Sequence, residues 1–179
     1  MTARILCLGN ELASDDGIGI RVGRVLASLE LPAHVELEIR RRIGFELLDS
    51  LEPADELLLV DAARTGAEVG SCRVIELDDV AAMASTPYCC HGVGLPELLS
   101  AISALRPEAL PKRVRVLAIE VLVTDECSTA LSSTVSRALP EAVAQALTLV
   151  GAPQSLVDEG RRRGQEAMDW QPAPAEVMG

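Results

Sequence analysis

The chain has 179 residues, a formal charge of −11, and 49% apolar but only 2% aromatic residues. This length suits one domain around one core, which must be built from Leu, Val, Ile and Ala. The acidic balance argues against non-specific nucleic-acid binding and against an anionic membrane surface. The opening MTARILCLGN has neither the length nor the cleavage pattern of a signal peptide, and no apolar run approaches the roughly 20 residues of a membrane span. The five cysteines (Cys7, Cys72, Cys89, Cys90 and Cys127) are odd in number and form no CxxC pair, which reads as reduced cytoplasmic thiols.

Strand and helix patterns alternate along the chain. RILCLGN (4–10) is an apolar run ending in Gly-Asn, and Ile18, Val22, Val25, Leu26 and Leu29 then form one helical stripe. VELEIRR (35–41) alternates with a period of two, and ELLLVDA (56–62) is the continuous apolar run of a strand buried on both faces. SCRVIEL (71–77) follows after only RTGAEVG, too short for a crossover helix, so these two strands are expected to pair antiparallel. Leu95, Leu98, Leu99, Ile102 and Leu105 make a second helical stripe, with Pro96 suited to its first turn. RVRVLAIEV (113–121) is the fifth strand. A long helix follows from Leu131 to Val150, in which Pro140 predicts a kink or a break with a restart. The pattern is that of an α/β domain over residues 1–150, with a mostly parallel sheet covered on both faces. Beyond Gly151 the composition changes, and residues 151–179 read as an appendage with one helix near 154–168 and a mobile Pro/Ala-rich tail.

In open α/β sheets ligands bind beyond the carboxyl ends of the parallel strands. The first strand leads into Asp15 and Asp16, the third ends at Asp61, and His91 lies in the loop before the second helical stripe. Two carboxylates and an imidazole from three segments suit a borderline divalent ion such as nickel or zinc, with positions left open for substrate. Each residue also has a plainer reading. Asp15 and Asp16 suit a helix N-terminus, Asp61 could be satisfied by a backbone amide, and a lone loop histidine is often incidental. Cys89 and Cys90 read as small thiols in preference to ligands, Cys90 is too constrained beside His91 to serve as its nucleophile, and His34 reads as surface. The loop GNELASDDGIG has no G-x-G-x-x-G array and carries three acids where a phosphate would lie, which argues against nucleotide binding.

The stretch LGNELASDDGIGIRV resembles the opening of the hydrogenase maturation endopeptidases. The likeness continues through LLLVDAARTGAEVGSCRVIELDDVAAM, CCHGVGLPELLSAI and LAIEVLVTDECSTALSSTVSRALPEAV, over roughly residues 4–150. The resemblance implies a three-layer α/β/α sandwich around a twisted, mostly parallel five-stranded sheet. It also implies a proteolytic cut that removes the C-terminal extension of a nickel-iron hydrogenase large-subunit precursor after nickel insertion. By motif match, Asp16, Asp61 and His91 are the metal-contacting and catalytic residues that it implies. The nickel would be carried by the precursor, with no tight binding to the free enzyme. One stretch departs from the family: many members carry an Asp-Gly-Gly-Thr-like turn after the second strand, where this chain has EIRRRIGFELL. Arg40, Arg41 and Arg42 read either as a solvated basic edge or as a cleft wall that meets a substrate carboxylate. Two alternatives follow: a non-catalytic metal- or precursor-binding homologue with a cleft altered by these arginines, and a small-molecule hydrolase on a related scaffold.

Overall fold

The computed structural model describes residues 2–41, 54–79, 95–122 and 127–168. Within them the order is β1 (Ala3–Leu8), a 3-10 turn (Ser14–Gly17), α1 (Ile18–Ala27), β2 (Val35–Arg40), β3 (Glu56–Ala63) and β4 (Cys72–Glu76). Then come α2 (Leu95–Leu105), a short 3-10 turn (Pro107–Ala109), β5 (Arg113–Glu120), α3 (Ser133–Leu149) and α4 (Gln154–Met168). All five strands join one sheet in the order β2-β1-β3-β5-β4. β1 pairs in parallel with β2 and β3, and β3 with β5, while β4 runs antiparallel to β5.

The alternation of side chains sorts the central strands into two cores. Ile5, Cys7, Leu58, Val60, Leu117 and Ile119 face α1, α3 and α4, where Ile18, Val22, Leu26, Val135, Leu139, Val143 and Val157 meet them. Leu6, Leu8, Leu57, Leu59, Val114 and Val116 face α2, against Leu95, Leu98, Leu99 and Ile102. The largest fully buried side chains are all Leu or Ile, as a chain almost without aromatics requires. Each contributes about 1.5–3 kcal/mol on burial. No helix among the described residues is long and apolar enough to cross a membrane.

One expectation is corrected and another is narrowed. β4 is the antiparallel strand, but its partner is β5, not β3. A short connection fixes the direction of the next strand without fixing its slot, and the 64–71 connection easily spans two strand spacings of about 4.8 Å. The inner slot goes to β5, buried along seven of its eight positions, whereas β4 is mostly exposed and takes the edge. Of the two outcomes expected at Pro140, a kink or a break with a restart, the break does not occur, because α3 is continuous from Ser133 to Leu149.

An internal proline costs a helix roughly 3 kcal/mol, so its surroundings must offset that. They do so through α4, the helix that follows the composition change at Gly151. A methyl group at Gly164 would stand 2.7 Å from Pro140 Cα, and one at Gly160 would stand 2.5 Å from Leu147 Cδ1. Two glycines one turn apart thus let α4 seat directly on the proline turn of α3. Arg163 Nη1 and Ser136 Oγ tie its C-terminal part, donating to Ser28 O and Met168 O. Gly164→Leu should lift α4 off α3 and lower the unfolding free energy by about 2–4 kcal/mol in urea titrations.

Candidate functional site

The carboxyl edge of β1 and β3 carries the acids. After Leu8 the chain turns at Gly9, whose φ of +145° is open to glycine and not to residues with a side chain. A methyl group there would lie 2.2 Å from Asp16 O. The loop then closes on itself: Asn10 N donates to Asp16 O (3.2 Å), Ala13 N to Asn10 O (3.0 Å) and Asp16 N to Ala13 O (3.2 Å). Asn10 Oδ1 accepts from Leu12 N at 3.1 Å. This short knot delivers Asp16, half-buried, at the turn that opens α1.

Asp61 stands at the carboxyl end of β3, alternating with Leu57 and Leu59 and therefore on the face that α2 covers. Its Oδ1 accepts from Ala62 N at 2.9 Å. Burial and, second, the negative charge of Asp16 push the Asp61 carboxyl up to about 7, and the Ala62 bond opposes them only in part. Asp16 thus lies near enough for its charge to act on Asp61, whose carboxyl is able near neutrality to hold and release a proton. Such a pair suits general acid–base chemistry, or a divalent cation whose charge relieves the repulsion.

Asp15 is corrected. It is the N-cap residue of neither the 3-10 turn nor α1: those positions are Ala13 and Gly17, and Asp15 lies inside the turn. It is fully buried, and its Oδ1 accepts from Ser132 N (2.6 Å) at the start of α3. It does belong to a helix start, but that of a helix more than a hundred residues later.

Of the arginine triplet, Arg40 Nε donates to Glu38 Oε1 (2.5 Å) on its own strand and Arg41 Nη2 to Glu11 Oε2 (3.1 Å). Glu11 also takes Arg24 Nη2 at 2.5 Å, so its carboxylate bridges α1 and the end of β2 beside the Asp16 loop. Arg42, His91, Cys89 and Cys90 lie outside the described residues. His34 is exposed, with Nε2 3.3 Å from Val150 O. Burial, and the charge of Asp61, raise the Cys7 thiol far above its ordinary value, and burial likewise pushes Cys72 up to about 11, so neither is an activated nucleophile. Among the described residues no three His, Cys, Asp or Glu side chains gather as a metal site.

One acid at this edge was missed. Glu120 ends β5 buried, and accepts from Thr65 N (2.8 Å), Thr65 Oγ1 (2.8 Å) and Gly66 N (2.8 Å). It fixes the turn that follows β3, just beyond Asp61. The signal was available: an acid closing an apolar strand, as at Asp61. The difference is that here the neighbouring backbone and hydroxyl satisfy it fully.

Comparison with known proteins gives a consistent result. A family model described as hydrogenase maturation protease matches residues 42–149, well over half of the chain. The hydrogenase expression/formation protein HupD of Rhodobacter capsulatus is 28% identical over 145 residues, which are 80% of this chain and 68% of that protein. The hydrogenase 2 maturation protease of Escherichia coli K12 is 30% identical over 104 residues, 57% of this chain and 63% of the relative. The solved structure of the E. coli hydrogenase maturating endopeptidase HybD superposes with a TM-score of 0.70 at 26% identity, covering 84% of this chain and 94% of the other. It shares the mixed α/β sheet architecture, and the HybD protease of Thermococcus kodakarensis, at 23% identity and a TM-score of 0.68, agrees in fold. With a five-stranded mixed sheet, an acid pair at its carboxyl edge and these relatives, the chain belongs to the hydrogenase maturation protease family and is a peptide-bond hydrolase.

Proposed function

We propose that this endopeptidase removes the C-terminal extension of a nickel-iron hydrogenase large-subunit precursor in the cytoplasm, after nickel has been inserted. The observation that carries the proposal is the Asp16–Asp61 pair at the carboxyl edge, with Asp61 held near 7. In this reading the nickel belongs to the substrate. It docks against Asp16, Asp61 and His91, and so brings the scissile bond to the acid pair. Two carboxylates that repel each other gain most from an arriving cation and hold it only while the precursor is bound, which suits a recognition role better than a resident one. At the bond, a carboxylate takes the proton of the attacking water and returns it to the leaving amine, so the peptide is cleaved without a covalent intermediate on the enzyme. Arg40, Arg41 and Arg42 meet an acidic group of the precursor, which displaces Glu38 from Arg40 and Glu11 from Arg41.

Incubation with nickel-loaded precursor should produce one discrete loss of mass. Asp16→Asn and His91→Ala should each slow it by about 100-fold or more. A precursor cut equally well with and without nickel would overturn the recognition role.

A further inference from the structure

Asp15 takes no part in the chemistry above, yet it is the most deeply buried acid among the described residues, with a relative exposure of 0%. A carboxyl group in such a place must be held by donors. It meets Ser132 N, the N-cap position of a 17-residue helix, where the helix dipole favours a negative group. Further bonds run beside it between the same two segments. Ser14 N donates to Ser128 O (2.8 Å), Ser128 N to Leu12 O (3.1 Å), Ser14 Oγ to Ala130 O (3.1 Å) and Arg21 Nη2 to Thr129 O (3.0 Å). Within this seam, two residues before Asp16, the backbone is strained, with Ser14 at a φ of +52°. A serine keeps that conformation only where its surroundings over-determine it.

From this arrangement we infer that Asp15 is a positioning residue for Asp16. Its carboxylate fastens the first loop to the start of α3 and so holds the strained backbone from which Asp16 reaches Asp61. The inference rests on the reading of Asp16 as a reacting group. It makes residues 128–132, far from the acids in sequence, part of the support of the site.

The test compares Asp15→Ala, Asp15→Asn, Ser132→Pro and Ser132→Ala, using nickel-loaded precursor well below the unfolding midpoint. Ser132 has φ −59° and ψ 154°, which proline accepts, so Ser132→Pro removes the N–H donor and the hydroxyl, and Ser132→Ala the hydroxyl alone. Asp15→Ala should lower kcat about 100-fold with KM little changed, since misplacement of a reacting group acts on the chemical step. Amide exchange at Asn10 and Asp16 should rise about tenfold or more, while the interior of α1 stays protected. Asp15→Asn, which keeps an oxygen for Ser132 N–H, should restore most of kcat. Ser132→Pro should reproduce the defect and Ser132→Ala should not.

A kcat equal to wild type in Asp15→Ala, or exchange that rises evenly over the whole fold, would overturn the positioning role. If Asp15→Ala does not fold, the two Ser132 variants decide between the same outcomes. Should the wild-type protein leave the precursor intact, the functional reading fails, and the exchange measurements still judge Asp15 by themselves.

Discussion

Asp61→Asn is expected to abolish precursor cleavage while making the protein more stable at neutral pH. A folded-state value of about 7 lies some three units above the value of about 3.9 that an unfolded aspartate has. Below pH 4 both states carry the proton and Asp61 costs nothing. Between pH 4 and 7 the unfolded chain releases the proton that the fold retains, so stability falls as pH rises through this window. Above 7 the full penalty is present, because burial and the charge of Asp16 act on an ionised group. Asparagine keeps an oxygen for Ala62 N and carries no charge. Full conversion of the shift gives an upper bound of roughly 4 kcal/mol, and a gain of about 2 kcal/mol at pH 8 is expected. Urea titrations at pH 4 and pH 8 check it: the difference between variant and wild type should be near zero at the first and large at the second. A difference that does not change with pH would show that Asp61 is not held protonated by the fold. Asp16→Asn, by removing the second cause, should shift the same window downward. A fold that keeps an acid pair at this cost to its own stability marks the pair as retained for chemistry.

Strands β1 and β3 were legible because strands buried on both faces leave continuous apolar runs, as ILCL and LLLV do, and β5 was legible from its β-branched residues. From their parallel direction the carboxyl edge followed, and with it the placement of Asp16 and Asp61 near each other. What could not be read was decided by partners distant in sequence. The slot of β4 depended on the competition with β5 for the sheet interior, and the survival of α3 through Pro140 depended on two glycines in α4. Asp15 and Asp16 are adjacent and chemically identical, so sequence alone offers no means to send one to Ser132 and the other to Asp61. Consecutive side chains of a 3-10 turn diverge by geometry, and the bonds of Ser14 and Asp15 to residues 128–132, over a hundred residues away, fix which of the two is buried.

Gly19→Ala is expected to be among the most damaging single-methyl additions in the protein. A methyl group there would stand 2.0 Å from Leu8 O and 2.7 Å from Val60 O, both backbone atoms of the central parallel strands. Neither carbonyl can retreat, since β1 and β3 are paired to each other and each to a further strand. The first turn of α1 must therefore rise, drawing Ile18 and Val22 out of the core and displacing Asp16, three residues upstream. Overpacking against rigid backbone outweighs the gain of up to about 1 kcal/mol that alanine brings to a helix interior, and a net loss of about 3 kcal/mol or more is expected. Gly23→Ala in the same helix supplies the comparison. There the new methyl meets Ile39 Cγ1 at 2.8 Å and Cys7 Cβ at 2.9 Å; Ile39 is 37% exposed on an edge strand and can rotate outward, whereas Cys7 Cβ is fixed to β1, so a smaller loss than at Gly19 is expected. The propensity gain is shared by both variants, so the difference between them isolates the contact of α1 with the sheet edge. If the two variants unfold at the same urea concentration, α1 can lift from β1 and β3 without penalty, and the position of Asp16 must be set by the seam to residues 128–132 alone.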